Sequence, residues 1–332
     1  MDKGHDDGRG KDGTGIPVEK MKKIYFLSDA HLGSRAIADN VASEKRLCAF
    51  LDSIKDEAEA IFLLGDMFDF WFEYRNLVPK GMVRFLGKLA ELTDSGVEVH
   101  FFTGNHDIWT FGYLERECGV NVHRGPETMD LVIGDRTARF FLAHGDGLRE
   151  VSTSFRLIRR IFHNRICQWL FRNIFPANWG LEIGLRWAYY SRMKHEGVWG
   201  KAGVPTNEFG DALFQSYGAN GEYMLTPSDF DPETEPLVLF AKEHYRENPD
   251  INYYIFGHRH VEYDLIMSRS CRMMILGDSF IQCTYACWNG EELVMDNFNR
   301  IQHDLHIKER ESDCDNQFAG CRGCQCEGQE RT

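Results

Sequence analysis

Five short apolar runs, each of which stops abruptly at a polar cluster, constrain this chain more than any other feature. The runs are Ile24–Leu27, Ala60–Leu64, Val97–Phe102, Arg139–Ala143 and Tyr253–Phe256. Uninterrupted apolar runs of this length are typical of strands that are buried on both faces. Helical patterns separate the early runs, at Ala42–Asp56 and Met82–Ser95. This alternation predicts an α/β fold built in layers.

The polar clusters are rich in residue types that bind divalent metals. They supply Asp29, His31, Asp66, Asn105, His144, His258 and His260. In open α/β sheets, ligands gather beyond the carboxyl ends of the strands, so we expect these side chains to meet there. Asp29 and His31 stand two residues apart, which puts both on one side of an extended chain. A glycine directly precedes Asp66, Asn105 and His258, and glycine lets the backbone approach a ligand closely.

The mixture of carboxylate, amide and imidazole, without thiolate, favours Mn, Fe or Zn at a reactive site over a structural zinc site. Seven ligands are too many for one such ion with an open position, and they fit two ions that share Asp66 as a bridge. We expect two divalent ions, Mn²⁺ first, with Fe or Zn as alternatives. Two ions about 3.5–4 Å apart can activate a water and stabilise an in-line phosphoryl displacement. A lone Asp-x-His is usually structural, but that reading does not explain five clusters that each end an apolar run.

The order of these motifs resembles the calcineurin-like metallophosphoesterase superfamily. The matching blocks are Asp29-Ala30-His31, Gly65-Asp66-Met67-Phe68-Asp69, Gly104-Asn105-His106-Asp107, His144 and Gly257-His258-Arg259-His260. The resemblance implies a layered β-sandwich flanked by helices. It implies one ion held by Asp29, His31, Asp66 and His260, and another held by Asp66, Asn105, His144 and His258. It also implies that His106 acts beside the scissile phosphate, stabilising charge or protonating the leaving group, with Asp107 as the carboxylate that orients it.

A finer resemblance is to the UDP-2,3-diacylglucosamine hydrolases, which are pyrophosphatases of lipid A synthesis. It rests on SDAHLG, GDMFDFW, AHGDGL, an insertion between His144 and GHRH, and the trailing LGDSFIQCTYACWNG. It implies cleavage of UDP-2,3-diacylglucosamine to UMP and 2,3-diacylglucosamine 1-phosphate. Some members of that family carry Arg where this chain has His106. A metallophosphoesterase acting on a soluble nucleotide, phosphodiester or phosphoprotein is therefore the alternative. A metal-binding scaffold without catalysis is a third reading, against which the full ligand set argues.

Residues 149–250 interrupt the strand pattern and predict an inserted helical cap with loops. Helical spacing of apolar residues covers Phe155–Phe175, and a second helical pattern covers Glu182–His195. From Arg149 to Lys201 there are ten basic and three acidic residues, interleaved with aromatic side chains. Such a segment is typical of contact with an anionic membrane surface or lipid, and a docked helix with a solvated basic face is the alternative. The candidate substrate-binding residues are Asn105, Arg149, Arg156, Arg159, Arg160, Ser191 and Lys194.

The strand pattern returns after this segment. Pro236–Glu247 predicts a helix, and Met273–Leu276, Phe280–Cys287 and Glu292–Phe298 predict strands with a hairpin turn at Asn289-Gly290. The chain then divides into four parts: a disordered leader at 1–20, a metallophosphoesterase core at 21–148 and 251–308, the inserted cap at 149–250, and a flexible Cys-rich tail at 309–332.

Charge and composition limit the partners of the chain. A formal net charge of −13 argues against a nucleic-acid binder, so the expected partners are a nucleotide-linked lipid and, through the basic cap, an anionic membrane surface. The N-terminal residues show no apolar signal segment. Six cysteines scattered through the body suit a reducing compartment. We expect a cytoplasmic protein, either free or peripheral on the inner face of the cytoplasmic membrane.

Overall fold

In the computed structural model, the chain folds into two stacked β-sheets flanked by helices. The structure describes residues 22–149, 160–162, 164–195 and 230–298, with the backbone alone over 190–195. The strands are β1 (Lys23–Leu27), β2 (Ala58–Leu64), β3 (Glu98–Phe102), β4 (Asn121–His123), β5 (Glu127–Ile133), β6 (Arg136–Ala143), β7 (Tyr253–Phe256), β8 (Tyr263–Ile266), β9 (Arg272–Ile275), β10 (Thr284–Trp288) and β11 (Leu293–Asn297). The helices are α1 (Asn40–Ile54), α2 (Val83–Asp94), α3 (Tyr113–Cys118), α4 (Arg165–Asn173), α5 (Ala177–His195) and α6 (Pro236–Glu247). The expected α/β fold of two sheets flanked by helices is confirmed.

The first sheet has six strands in the order β11-β10-β1-β2-β3-β4. Strands β1 to β4 run parallel, with Phe26 opposite Phe62 and Leu63 opposite Phe101. Strands β10 and β11 complete the sheet in antiparallel pairing. The carboxyl ends of β1, β2 and β3 therefore meet at one edge, where the first polar motifs begin.

The second sheet has five strands in the order β5-β6-β7-β9-β8. Strands β6, β7 and β9 are parallel, and Ile255 of β7 lies between Leu142 of β6 and Met274 of β9. The outer strands β5 and β8 pair antiparallel. Strands β6 and β7 end at Ala143 and Phe256, and these ends deliver the histidines of the last two motifs.

The central core lies between the two sheets, and each sheet buries its other face under helices. In β1, Phe26 faces the second sheet and stacks on Phe62 and Phe140, with ring centroids 5.2 and 5.4 Å away. Its neighbours Tyr25 and Leu27 pack on the opposite side, in the cluster that includes α1 and α2. Because both faces are covered, the strands read as continuous apolar runs.

The predicted elements correspond closely to the observed ones. The five apolar runs are strands β1, β2, β3, β6 and β7, and the helix at Pro236–Glu247 has the predicted bounds. Strands β10 and β11 form the expected hairpin, in which Asn289 N–H donates to Glu292 O at 3.3 Å and Gly290 has a φ of 93°. The short elements α3, β4, β5 and β8 were not predicted.

The prediction of one long helix over Phe155–Phe175 is wrong in its described part, because the helical conformation is interrupted at Asn164. Residues 160–162 are helical, and α4 begins only at Arg165. Asn164 has an extended backbone, and its side chain accepts hydrogen bonds from the N–H groups of Ile166 and Cys167 at 2.9 and 3.1 Å. An asparagine that caps a helix start outweighs a continuous apolar spacing.

The strand predicted over Phe280–Cys287 is wrong in its first half. Residues 278–282 form a turn because Asp278 Oδ1 accepts hydrogen bonds from the N–H groups of Phe280, Ile281 and Gln282. Cys283 then takes a left-handed backbone with a φ of 54°, and the strand starts at Thr284. A side chain that captures three consecutive backbone donors competes with strand pairing.

Helix α6 packs on the outer face of the second sheet. Leu237, Val238 and Ala241 are buried there in one cluster with Phe141 and Tyr254. Among the described residues, no helix is both long and apolar enough to cross a membrane. The predicted leader at 1–20, the loop-rich part of the cap before residue 230 and the tail at 309–332 lie outside the described residues.

Candidate metal centre

The side chains predicted to bind metal converge where the strands end. Among the described residues, three groups of His and Asp side chains each offer ligand atoms within 4.8 Å of one another. One of these groups is His31, Asp69 and His106, and the other two consist of predicted ligands alone. The first group is Asp29, His31 and His260, and the second group is Asp66, His144 and His258. Asn105 adjoins the second group, with its Oδ1 3.3 Å from His144 Nε2. The structure thus brings together all seven predicted ligands.

In the first group, two imidazole nitrogens face each other across a short gap. His31 Nε2 lies 3.2 Å from His260 Nε2. Asp29 Oδ1 lies 3.6 and 3.5 Å from these nitrogens, is buried, and has no hydrogen-bond partner among the described residues. Since buried polar atoms normally have a partner, a bare carboxylate oxygen beside two imidazole nitrogens fits a bound cation.

Asp66 lies between the two groups. Its Oδ1 accepts a hydrogen bond from the His106 N–H at 2.8 Å. Its Oδ2 lies 3.9 Å from His31 Nε2 and 3.2 Å from His144 Nε2. One oxygen is therefore fixed by the backbone, and the other faces one histidine of each group, as a bridging carboxylate would.

The ring of His144 is held with its metal-binding nitrogen toward the site. His144 Nδ1 donates to the backbone carbonyl of Leu64 at 2.9 Å. The other ring nitrogen, Nε2, therefore points toward Asp66 and Asn105. Fixing one ring nitrogen by a carbonyl so that the other can bind a metal is the usual support of a histidine ligand.

Five of the seven predicted ligands have a left-handed backbone. Their φ values are 53° at Asp29, 44° at His31, 53° at Asp66, 72° at His258 and 51° at His260. Such conformations cost about 1–3 kcal/mol each in residues with a Cβ and concentrate at functional sites. The surrounding structure therefore stabilises a strained backbone at residues whose side chains point into the site.

Two glycines make room for the ligands, as the sequence predicted. A Cβ on Gly65 would lie 2.7 Å from His144 Nδ1, and a Cβ on Gly104 would lie 2.2 Å from Asp66 Oδ1. Real Cβ atoms do not come this close to other heavy atoms. Alanine at either position would therefore displace His144 or Asp66 from the site.

The buried carboxylates and imidazoles of the site shift one another's pKa values. Burial raises the pKa of Asp29 to about 8, despite the opposing effect of His144. Burial also opposes ionisation of Asp66, but the neighbouring imidazoles of His144 and His106 hold its pKa well below the usual range. Burial, and then His144, lowers the pKa of His258 to about 4, so this ring is neutral. Burial opposes protonation of His144, but the Asp66 carboxylate holds the pKa of His144 well above its usual value. Ionised carboxylate and neutral imidazole are the forms that bind metal, so a bound cation would displace protons from Asp29 and His144.

His106 lies at the open side of this cluster. Its Nδ1 is 2.7 Å from the backbone oxygen of Asp69 and donates to it. Its Nε2 is 4.0 Å from Asp66 Oδ2. The carbonyl fixes the ring so that Nε2 faces the space beside the ligands.

The role expected for Asp107, as the carboxylate that orients His106, is corrected by the structure. The completely buried Asp107 accepts hydrogen bonds from backbone N–H groups of Gly104 and Met67 at 2.7 and 2.9 Å, and of Asp66 and Phe68 at 3.3 and 3.4 Å. The Asp69 carbonyl orients the His106 ring instead. Asp107 ties the loop after β2 to the loop after β3, because both loops leave backbone donors unpaired at the sheet edge.

Two residues near the ligands were not among the predicted site residues. Asp69 Oδ1 lies 3.5 Å from His31 Nδ1, and the ring of Phe280 stands edge-on to the rings of His31 and His260. Asp69 could have been found as the second carboxylate of the GDMFD motif. No sequence signal points to Phe280, which reaches the site through the turn that was mistaken for a strand.

The predicted substrate-binding residues of the insertion are placed only in part. Arg149 pairs with Glu243 of α6 at 3.0 Å, and Arg160 is exposed. Arg156, Arg159 and the side chains of Ser191 and Lys194 lie outside the described residues.

Residues 160–162, α4 and α5 of the insertion contact the loops that carry the ligands. Phe171 of α4 packs on Phe72 of the loop after β2, with ring centroids 4.8 Å apart. Trp109 of the loop after β3 donates its Nε1–H to Phe162 O at 3.1 Å. Arg35, in the loop after β1, forms an ion pair with Glu182 of α5. All three loops of the first sheet that carry ligands are therefore joined to the insertion.

The sequence of this chain matches known proteins over most of its length. The profile of the calcineurin-like phosphoesterase family matches residues 22–262. A UDP-2,3-diacylglucosamine hydrolase of Porphyromonas gingivalis is 42% identical over 281 residues, which cover 84% of this chain and 99% of that protein. A UDP-2,3-diacylglucosamine hydrolase of Edwardsiella ictaluri is 30% identical over 160 residues, which cover 48% of this chain and 58% of that protein.

Among solved structures, the phosphopantetheinyl hydrolase of Mycobacterium tuberculosis is 14% identical with a TM-score of 0.34, covering 79% of this chain and 91% of that one. The family match spans all five motifs and both ligand groups, and a family with a dinuclear metal centre fits the paired clusters of ligands. This chain belongs to the calcineurin-like phosphoesterase family.

Proposed function

We propose that this protein is a two-metal hydrolase that cleaves the pyrophosphate of UDP-2,3-diacylglucosamine, giving UMP and 2,3-diacylglucosamine 1-phosphate. The observation that carries the proposal is the 42% identity to a protein of that name along 99% of its length. This likeness extends over more of the chain than the family match at 22–262 does. It therefore reaches beyond the motifs that every phosphoesterase of this family needs.

The ligands are assigned to the two ions as the family resemblance implies. Asp29, His31, Asp66 and His260 would hold one ion, and Asp66, Asn105, His144 and His258 the other. Mn²⁺ is the first choice, with Fe or Zn as alternatives, because the donors are oxygens and imidazole nitrogens without thiolate. When bound, the pair would activate a water and offset the charge that develops on the phosphoryl oxygens.

The protein itself supplies orientation and a proton. Asp107 fixes the loops after β2 and β3 through four backbone hydrogen bonds, so Asp66 and Asn105 keep their places during turnover. His106 Nδ1 stays on the Asp69 carbonyl. A proton carried on His106 Nε2 can therefore pass to the phosphate oxygen that leaves, or hydrogen-bond the charge on it.

Recognition of the acyl chains falls to the insertion. Of the large hydrophobic side chains exposed in the described part of the chain, nine lie on residues 161–189, and Trp169, Trp179 and Trp187 are each more than half exposed. Arg160, Arg165 and Arg186 are exposed on the same segment. Apolar side chains next to arginines suit a substrate with acyl chains and a diphosphate, and they suit the anionic membrane surface on which such a substrate resides.

The test is product analysis with Mn²⁺ supplied. The protein is incubated with UDP-2,3-diacylglucosamine and, separately, with UDP-glucose and a small aryl phosphodiester. We expect UMP and the diacylated sugar phosphate from the first substrate, at a kcat/KM at least about tenfold above that for UDP-glucose, since each buried methylene contributes about 0.8 kcal/mol.

Equal efficiency on UDP-glucose would replace the lipid reading with the soluble-nucleotide alternative. Binding of two ions without turnover of any phosphoester would favour the third interpretation, in which the protein is a metal-binding scaffold without catalysis. The control variant for handling and metal loading is Asp264→Asn, which changes a surface residue that pairs with Arg272.

A further inference from the structure

The turn at 278–282, between β9 and β10, lies directly against the first ligand group. Its shape is set from within, because Asp278 Oδ1 accepts the N–H groups of Phe280, Ile281 and Gln282 at 3.1, 2.6 and 2.9 Å. Arg46 of α1 donates to Phe280 O at 2.7 Å and fixes the turn from outside. A turn held on both sides can act as a rigid support.

Three residues of this turn each contact a member of the first group. Ser279 N–H donates to Asp29 O at 3.1 Å. The ring of Phe280 stands edge-on to the rings of His31 and His260, with centroids 5.8 and 5.6 Å away and interplanar angles of 89° and 74°. Gln282 Nε2 donates to His260 O at 3.2 Å. The turn thus touches Asp29, His31 and His260 together.

Phe280 matters most because it fixes two imidazole rings at once. His31 Nε2 and His260 Nε2 are held 3.2 Å apart, and both residues have a strained left-handed backbone. The buried Phe280 ring fills the space beside both, and edge-to-face contact sets the ring planes as well as the distance. An aliphatic side chain would fill part of this space without defining either plane.

The second group has other supports. His144 Nδ1 donates to Leu64 O, Asp66 Oδ1 accepts from His106 N–H, and Asp107 fixes the loops on which Asp66 and Asn105 stand. These supports come from β2, β3 and the loops that follow them, whereas the turn belongs to the β9–β10 connection. The loop after β2 also holds the first group, because Asp29 N–H donates to Gly65 O and His31 N–H donates to Asp66 O, both at 3.0 Å. The turn is therefore an additional support, and its contacts described above are with the first group.

We infer that the 278–282 turn, through Phe280, positions the ligands of one metal only, so that this ion has a support that the other ion lacks. Phe280 is a positioning residue that acts through His31 and His260. The inference rests on the proposed two-metal centre, with the metals as that proposal assigns them.

The experiment compares Mn²⁺ binding by the full chain and by Phe280→Leu. Both proteins are stripped of metal and titrated with Mn²⁺ alone, with bound metal per chain measured by elemental analysis and the electron paramagnetic resonance spectrum recorded. The wild-type protein should bind two ions and show the spectrum of a coupled pair. In Phe280→Leu, one ion should bind about 10- to 100-fold more weakly, the range for loss of a support to a metal ligand. At intermediate Mn²⁺, this variant should show the spectrum of isolated ions.

Phe141→Leu is the matched control, since Phe141 is also buried but packs against α6 on the second sheet. It should lower the melting temperature of the metal-free protein about as much as Phe280→Leu does, while binding both ions as the wild type does. If Phe280→Leu does not fold, Gln282→Ala, which removes the hydrogen bond to His260 O, takes its place and should weaken the same single ion.

Equal binding of both ions by the turn variant, or equal weakening of both, would overturn the inference and leave the two-metal centre standing. Fewer than two ions in the wild-type protein would instead overturn the two-metal centre itself. Turnover need not be measured for either conclusion.

Discussion

The loops of the metal centre and the helices of the insertion are both rich in aromatic side chains, but they use them in opposite ways. In the loop after β2, Phe68, Trp71 and Phe72 are completely buried. In α4 and α5, Trp169, Trp179 and Trp187 are 57%, 68% and 52% exposed. Similar residue types thus build a closed support in one region and an open apolar surface in the other.

The difference separates the chemistry of the protein from its selectivity. The buried aromatic residues belong to the same loop as the strained ligand Asp66, and a packed interior resists displacement. Exposed tryptophans contribute little to the stability of the folded chain and offer area to a ligand that is itself apolar. Damage to the loops should therefore abolish catalysis on every substrate, whereas damage to the insertion should change which substrate is cleaved.

The largest effect is expected from Asp66→Ala. Because Asp66 Oδ2 faces histidines of both groups, its loss should weaken both ions and reduce turnover of every phosphoester to background. Bound metal per chain and turnover of a small aryl phosphodiester are the measurements. Asp130→Ala, at a surface ion pair with Arg139, is the control. A variant that kept two ions and a near-normal rate would show that Asp66 does not bridge them.

His106→Ala should have the next largest effect. We expect kcat to fall by roughly 10²–10⁴, the range for a positioned acid or base, with both ions retained, since no predicted ligand is removed. His244→Ala is the control, because His244 is a partly buried histidine of α6 whose Nδ1 hydrogen-bonds Tyr254 at 2.9 Å, away from the site. Loss of an ion would make His106 a ligand, and an unchanged rate would make it a bystander.

The smallest effect on the fold is expected from Trp169→Ser combined with Trp179→Ser. Because both side chains are exposed, the free energy of unfolding should change by less than about 0.5 kcal/mol. The kcat/KM for UDP-2,3-diacylglucosamine should nevertheless fall about tenfold, which corresponds to a loss of about 1.4 kcal/mol of contact. Turnover of the small phosphodiester should be unchanged.

Ile266→Ser is the control for the tryptophan pair, since Ile266 is as exposed but lies on β8. If the tryptophan variant lost activity on both substrates equally, the insertion would support the metal centre rather than select the substrate. The contrast between the two regions would then fail.

The sequence alone determined the elements that end at the site. The runs before Asp29, Asp66 and His258 are continuous because their strands are covered on both faces. The ligand types and the glycines before them could also be predicted from the sequence, since a metal requires particular donor atoms and a crowded site excludes a Cβ. These requirements act on single residues or short segments, so they can be recognised in the sequence.

Only the tertiary structure decided which groups support the ligands. Asp107 stands next to His106 in sequence, yet its carboxylate binds backbone N–H groups of two loops, while a carbonyl from the other loop orients His106. Phe280 lies 249 positions beyond His31 in the chain and reaches it because a single aspartate bends the backbone into a turn. Contacts of this kind depend on where separate strands end in space, and the order of residues along the chain does not record that.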